Sequence, residues 1–407
     1  MSGVSVPGGL SLTNALGTGG TVRIEGDVIA AAGQDVSPQP GDEVIDLTGH
    51  VLLPGLAEPH VHLDKAFTAG RAGLLGPDLA DAIRAWLGVR GSLTAEDFAR
   101  RARRTALEYL ASGVTALRAH TDVAPALGTT PLEALRKVRA ELAGAVDIDI
   151  AAMAALPLTG LAGRENLAAL RDAVDAGADT IGGAPWLDPE PRQATALLLD
   201  LAAAAGRSID LHVDETTDPA SDALGALVHL AGQGFPHHVT ASHVVSLASR
   251  PPAERRRAAQ SVAEAGVRVV ALPQTNLWLQ EPTPANGRGI TAVTDLLTAG
   301  VPVGAGADNI RDPFNPLGRA DPLETAGLLA AVARISPEQA LQAVTAGAWA
   351  VLGAEPPAIR PGAPARLVAV AAHDLADAVA SAPAGRIVIR GSQVVARTRT
   401  EREYPSL

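Results

Sequence analysis

The stretch Val51-Leu52-Leu53-Pro54-Gly55-Leu56-Ala57-Glu58-Pro59-His60-Val61-His62-Leu63-Asp64-Lys65 decides how the chain is read. Its apolar opening, Val51-Leu52-Leu53, reads as a short buried strand entering a turn at Pro54-Gly55. His60 and His62 follow at i and i+2. On a strand those positions share a face, so both imidazoles can reach one ion, and imidazole suits zinc or ferrous iron. The plainer alternative is a polar pair at a strand end. Further candidate ligand segments downstream, each at the end of an apolar run, shift the balance toward metal.

From about residue 56 to 350, Ala/Leu-rich helical patterns alternate with short apolar runs. The helices are expected near 95–112, with Thr94 as N-cap and Gly113 as stop, and near 131–143, 165–176 and 190–205. The runs are Val114–Arg118, Ile148–Met153, Thr180–Gly183, Ile209–Val213, Val239–His243, Val267–Leu272 and Val301–Gly306. With 51–55 they make about eight strands separated by helices, the signature of parallel βα units. The fold class is α/β. A (β/α)8 TIM-type barrel is expected over 56–353, with a doubly wound open sheet as the alternative. His60, His62, His212, His243 and Asp308 all fall at or just after strand C-termini, where barrel active sites form. Residues 1–55 and 354–407 have a β texture and are expected to form one small β-sandwich domain. Within it, Glu25-Gly26-Asp27 is a hairpin-like turn.

Composition bounds the function. The chain has 407 residues, 47% hydrophobic, 19% charged and only 2% aromatic, so Leu, Val and Ala must fill a large core. The net charge of −11 and the lack of a basic tract argue against nucleic acid as a partner. Arg100–Arg104 and Arg255–Arg257 read as solvated helix faces. There are no cysteines, so a metal must use His and carboxylate. The N-terminal residues lack a signal-peptide pattern and no apolar run is long enough for a membrane span. A cytoplasmic protein with no membrane partner is the expectation; homo-oligomerisation is left open.

The chemistry-bearing residues follow. His212 could complete a three-histidine set with His60 and His62. Glu215, three residues on, could face the same cavity and move a proton between water and substrate. His243 could orient the attacking water or bind metal. Asp308, after the small residues of Gly304-Ala305-Gly306-Ala307, is a fitting carboxylate ligand, or with Asn309 a cap or turn pair. His237-His238 read as structural or exposed, and His120 as facing the correct barrel end without an evident role. Lys65 reads as substrate-side or as paired to Asp64 or Glu58.

The segments EPHVHLDKAFTAG, RAHTDV, GADTIGGAPW, HVDET, TASHVVSL, RGITAVTDLLTAGVPVGAGADNIRDPFNPLG and QALQAVTAGAWAVLG resemble the amidohydrolase superfamily, and more closely its bacterial cytosine deaminase-like branch, over about residues 50–353. The resemblance implies one divalent metal per chain (zinc or iron, with manganese also compatible) held by His60, His62, His212 and Asp308. It implies that His243 positions the hydrolytic water, and that Glu215 shuttles protons to a ring nitrogen as ammonia or a small amine leaves. The substrate-reading groups depart from the family. Leu158 takes the position of a Gln that reads the pyrimidine edge, Asn309 replaces a second Asp, and Phe314 replaces a Trp. Trp278, Phe314 and Trp186 are candidate pocket walls, Trp186 fitting better as core packing. The expectation is a hydrolytic deaminase of an amino- or alkylamino-substituted N-heterocycle or cyclic amidine other than cytosine, a small-molecule partner. The alternatives are a single-metal amidohydrolase opening a cyclic amide or imide, and a non-catalytic binding protein on the same barrel.

Overall fold

Between Val51 and Val61 the chain makes two strands that belong to different sheets. In the computed structural model, which describes residues 8–17, 19–73, 76, 78–280, 288–401 and 403, Val51–Pro54 pairs antiparallel with Arg366–Val370. The first barrel strand is the next one, Leu56–Val61. An apolar run alone does not say which sheet it joins, so the expectation that 51–55 opens the barrel is corrected by one strand. Gly55 forms the joint. A Cβ there would lie 2.6 Å from Thr115 Oγ1, so only glycine lets the two sheets meet so closely.

The barrel strands are β1 (Leu56–Val61), β2 (Val114–Val123), β3 (Asp147–Ala154), β4 (Thr180–Gly183), β5 (Ser208–Val213), β6 (Val239–His243), β7 (Arg268–Ala271) and β8 (Val303–Ala305). They are parallel neighbours in sequence order. The sheet closes just past β8, where Asp308 N donates to His60 O at 3.1 Å and His62 N donates to Asp308 O at 2.9 Å. Inside this seam the buried Glu58 accepts from His60 N and from Ala307 N, both at 3.1 Å. This is the α/β barrel, not the open sheet.

The helices start where local chemistry says they should. Ala95–Ala111 is capped by Thr94, whose Oγ1 accepts from Asp97 N at 3.2 Å. Thr130–Glu141, Gly163–Asp175 and Pro191–Ala205 lie within two residues of expectation. Two features differ. Ahead of the first expected helix lies one the sequence did not signal, Leu79–Arg90, capped by Asp78. Arg101 in the first basic cluster is not solvated: it is buried, and it bonds Asp97 Oδ2 at 2.8 Å and Ala66 O at 2.9 Å. Helical periodicity cannot show that an arginine on the inner face will find carbonyls to satisfy it. No helix among the described residues is long and apolar enough to cross a membrane.

The remaining strands make two four-stranded sheets. One is all N-terminal: Leu10–Thr13, Thr21–Glu25, Val28–Gly33 and Glu43–Asp46, with Gly26 at φ +58° in the expected hairpin turn. The other joins Val51–Pro54 to the C-terminal strands Arg366–Val370, Arg386–Arg390 and Gln393–Thr398. Leu10, Leu12 and Ile24 share a core with Leu52, Leu367 and Ile389 across them. Arg386, also buried, ties the second sheet to the barrel. Its guanidinium makes a bidentate pair with Asp321 at 2.9 and 2.7 Å and reaches Ser112 O at 2.6 Å.

Glu58→Ala strands two buried N–H groups at the seam. Each costs about 1–3 kcal/mol, so the variant should unfold in denaturant with roughly 2–6 kcal/mol less stability. An unchanged midpoint would mean that side-chain packing alone closes the barrel.

Candidate metal centre and active site

Eight strands point their C-terminal ends at one place, and the polar residues met there in the sequence converge. One nitrogen each from His60, His62 and His212 and one Asp308 oxygen all lie within 4.8 Å of one another. His62 Nε2 is 3.1 Å from His212 Nε2 and 3.3 Å from Asp308 Oδ1, and His60 Nε2 is 3.6 Å from the same oxygen. Zinc–nitrogen bonds of about 2.0–2.1 Å in a tetrahedron set ligand atoms roughly 3.3 Å apart, so these separations fit a small divalent ion. His60 Nε2 and Asp308 Oδ1 are buried without a hydrogen-bond partner, as atoms reserved for an ion would be. Glu215 and His243 sit on the other side of Asp308, His243 Nε2 at 3.9 Å from Asp308 Oδ2 and His243 Nδ1 at 3.5 Å from Glu215 Oε1.

The protonation states suit this arrangement. Burial, then the neighbouring imidazoles (with Lys65 for His62 and His212), pushes His60, His62 and His212 well below the ordinary histidine value. They are neutral and keep a lone pair for a metal. Burial takes His243 down to about 3. It pushes the Glu215 carboxyl up to about 8 against the pull of Lys65, and raises Asp308 well above the usual range, with Glu215 and Asp312 adding to the effect. A cation beside Asp308 would reverse that last shift.

Surrounding groups hold these side chains in place, and several were not legible in the sequence. Ser242 Oγ lies 2.9 Å from His60 Nδ1 and donates to Asp210 Oδ1 at 2.7 Å. Arg118 then bonds Asp210 and Asp149, each at 3.0 Å. His120, also unassigned, stacks on His60 with ring centroids 3.9 Å apart. Asn276, on the helix Pro273–Leu279, places its amide 2.9 Å from His243 Nδ1. Donation from that amide leaves the His243 proton on Nε2, the nitrogen nearer Asp308. The buried Asp214 accepts from Ser221 Oγ, Ala223 N and Leu224 N at 2.7–3.0 Å, and Gln280 donates to Glu215 O at 3.0 Å. Together they fix the loop that carries Glu215. The only earlier signal for Asp214 and Asp210 was their adjacency to His212 and Glu215.

The substrate-side residues divide. A cavity of about 260 Å³ adjoins the cluster, and His62, Lys65, Asn309 and Phe314 line it. Leu158 and Trp278 do not. Leu158 N donates to Asp188 Oδ2 at 2.6 Å, which turns the Leu158 side chain into the barrel core, so the wall at this strand end is Leu156. Trp278 is half-buried on the helix Pro273–Leu279, and Trp186 packs on the core. Lys65 pairs with neither Asp64 nor Glu58: its ammonium lies 3.0 Å from Asp122 Oδ1 and 2.9 Å from His62 Nδ1. His237 and His238 precede β6, at the opposite end of the strand from His243.

Barrel and cluster together define a hydrolase of the metal-dependent α/β-barrel class. The particular family follows from comparison: the model of the Amidohydrolase family matches residues 43–396, and the chain belongs to that family, in its cytosine deaminase-like branch. It is 30% identical over 365 residues to a pterin deaminase of Rhizobium rhizogenes, covering 87% of this chain and 82% of that protein. It superposes on a 5-methylcytosine deaminase of Klebsiella pneumoniae with a TM-score of 0.88 at 28% identity, covering 97% of this chain and 100% of that one. An N-isopropylammelide isopropylaminohydrolase of Burkholderia multivorans gives 0.83 at 31%, with 96% and 98% covered.

The geometry predicts that His212→Ala weakens divalent-metal binding at least about tenfold, measured by competition with a chromogenic chelator. Unaltered affinity would exclude His212 from the ligand set.

Proposed function

We propose that the protein is a metal-dependent aminohydrolase of an amino- or alkylamino-substituted N-heterocycle or cyclic amidine. The observation that carries this is the convergence of three neutral imidazoles and Asp308, with Glu215 and His243 set beside Asp308. In this reading His60, His62, His212 and Asp308 hold one divalent ion, zinc or iron. Such an ion, when bound, lowers the pKa of water to about 7 and so supplies a nucleophile at neutral pH.

The chain's own residues do the rest. Glu215, buried and able to carry a proton near neutral pH, takes one from the attacking water and delivers it to the ring nitrogen next to the reacting carbon. A C–O bond forms, and the ring C=N becomes C–NH. Glu215 then passes the second proton to the exocyclic nitrogen, the C–N bond breaks, and ammonia or an amine leaves a ring carbonyl. His243 Nε2–H donates to the oxygen as charge builds on it. Asn276 keeps the His243 proton on that side. Cyclic amide opening would use the same residues but yield a carboxylate without amine loss, so the product distinguishes the two.

Two outcomes test the assignment. Glu215→Gln should cut ammonia or amine release from aminated heterocycles by about 10²–10⁴-fold while metal content stays at the wild-type level. Retained activity would remove Glu215 from proton transfer. Asn276→Ala should lower kcat by about 10–100-fold with little change in KM and none in bound metal. A loss confined to KM would make Asn276 a substrate contact instead.

A further inference from the structure

The part of the cavity away from the reacting end narrows the kind of heterocycle that fits. The helix Leu79–Arg90 presents Leu79, Ile83, Trp86 and Leu87 to it from one face. Leu156 and Leu187 come from other loops. Leu87 and Leu187 are 49% and 40% exposed, which places them at the mouth, whereas His62 lies at the buried end. Several polar groups on this side are already paired with one another. Asp122 Oδ2 accepts from Trp86 Nε1 at 2.7 Å and from Arg90 at 3.0 Å, while its Oδ1 faces Lys65. Asn309 Nδ2 donates to Asp312 Oδ2 at 2.8 Å. A polar ring edge set against Ile83, Leu87, Leu156 and Leu187 would therefore meet methyl groups and lose its water without replacement.

Size points the same way. An apolar cavity of about 150 Å³ holds one benzene-sized ring. Against about 260 Å³ here, roughly 110 Å³ is left over once a single ring is seated. That remainder is bounded by leucine and isoleucine.

Resting on the aminohydrolase reading above, we propose that the preferred substrate is a monocyclic aminated N-heterocycle bearing an apolar substituent on the ring edge remote from the hydrolysed carbon. The substituent lies between Ile83 and Leu87 on one side and Leu156 and Leu187 on the other. Those four side chains set specificity.

The test uses the metal-loaded protein and four kinds of compound: aminopyrimidinones and amino-1,3,5-triazinones that are bare, that carry a propyl group on a ring carbon not adjacent to the amine-bearing one, or that carry it on the departing nitrogen, and 2-amino-4-oxopteridine as a polar bicycle. The ring-propyl compounds should exceed the bare ones in kcat/KM by at least about tenfold. In a Leu87→Asn, Leu187→Asn double variant that melts like the wild type, that ratio should fall to within about threefold of one. Equal rates for bare and ring-propyl compounds, a preference for the bicycle or for propyl on the departing nitrogen, or a ratio untouched by the double variant would overturn the inference. Calorimetric binding to the Glu215→Gln protein separates this from the chemistry. If nothing is hydrolysed but ring-propyl compounds still bind at least about tenfold tighter, the apolar site stands and the aminohydrolase reading falls. If they bind no tighter, the inference falls on its own.

Discussion

A single residue, Asp308, both closes the barrel and serves the site. Its backbone makes the two hydrogen bonds that join the last strand end to the first, and its carboxylate faces the three imidazoles. To do both it adopts φ +63°, and two other strand ends repeat the device, with His243 at +73° and Asp214 at +48°. Non-glycine residues in this region cost about 1–3 kcal/mol unless their surroundings over-determine them. Here they do: ladder bonds fix Asp308, and three hydrogen bonds to its own carboxylate fix Asp214. The fold and the cluster cannot be varied independently at these positions.

The same burial that builds the core sets the electrostatics. Imidazoles packed together in a dry interior favour their neutral forms, and carboxyls beside one another favour protonation. A divalent cation would reconcile these tendencies, because it would use the lone pairs that burial preserves and compensate the carboxylate that burial opposes. The Asp149–Arg118–Asp210–Ser242 chain behind His60, buried except at Asp149, then orients the His60 ring within the cluster.

What could be read from the chain was what local pattern encodes. The alternation of helix-period and apolar segments gave the barrel, and strand-end position identified His60, His62, His212, His243, Glu215 and Asp308, which the structure brings together. What could not be read depends on tertiary partners. Val51–Pro54 and Leu56–Val61 are equally apolar runs, and only their pairing separates them. Arg101 looked solvated because its carbonyl partners lie about 35 residues away in sequence. Leu156 and Leu158 both lie past the end of the strand Asp147–Ala154, where no side-chain period applies, and Leu158 N is held by Asp188. Asn276 carried no motif at all, since its meaning comes from the His243 nitrogen it faces.

The one-residue joint at Gly55 has an implication for modularity. The strand carrying His60 continues without slack into a strand of the small sheet, and Arg386 locks that same sheet onto Asp321 at the head of a barrel helix. A gene fragment encoding the barrel alone would leave Asp321 an unanswered charge and cut the chain at the joint that leads straight into the opening strand. The sandwich is thus no detachable appendage, and grafting this catalytic unit into another polypeptide would require carrying both ends of the chain along with it.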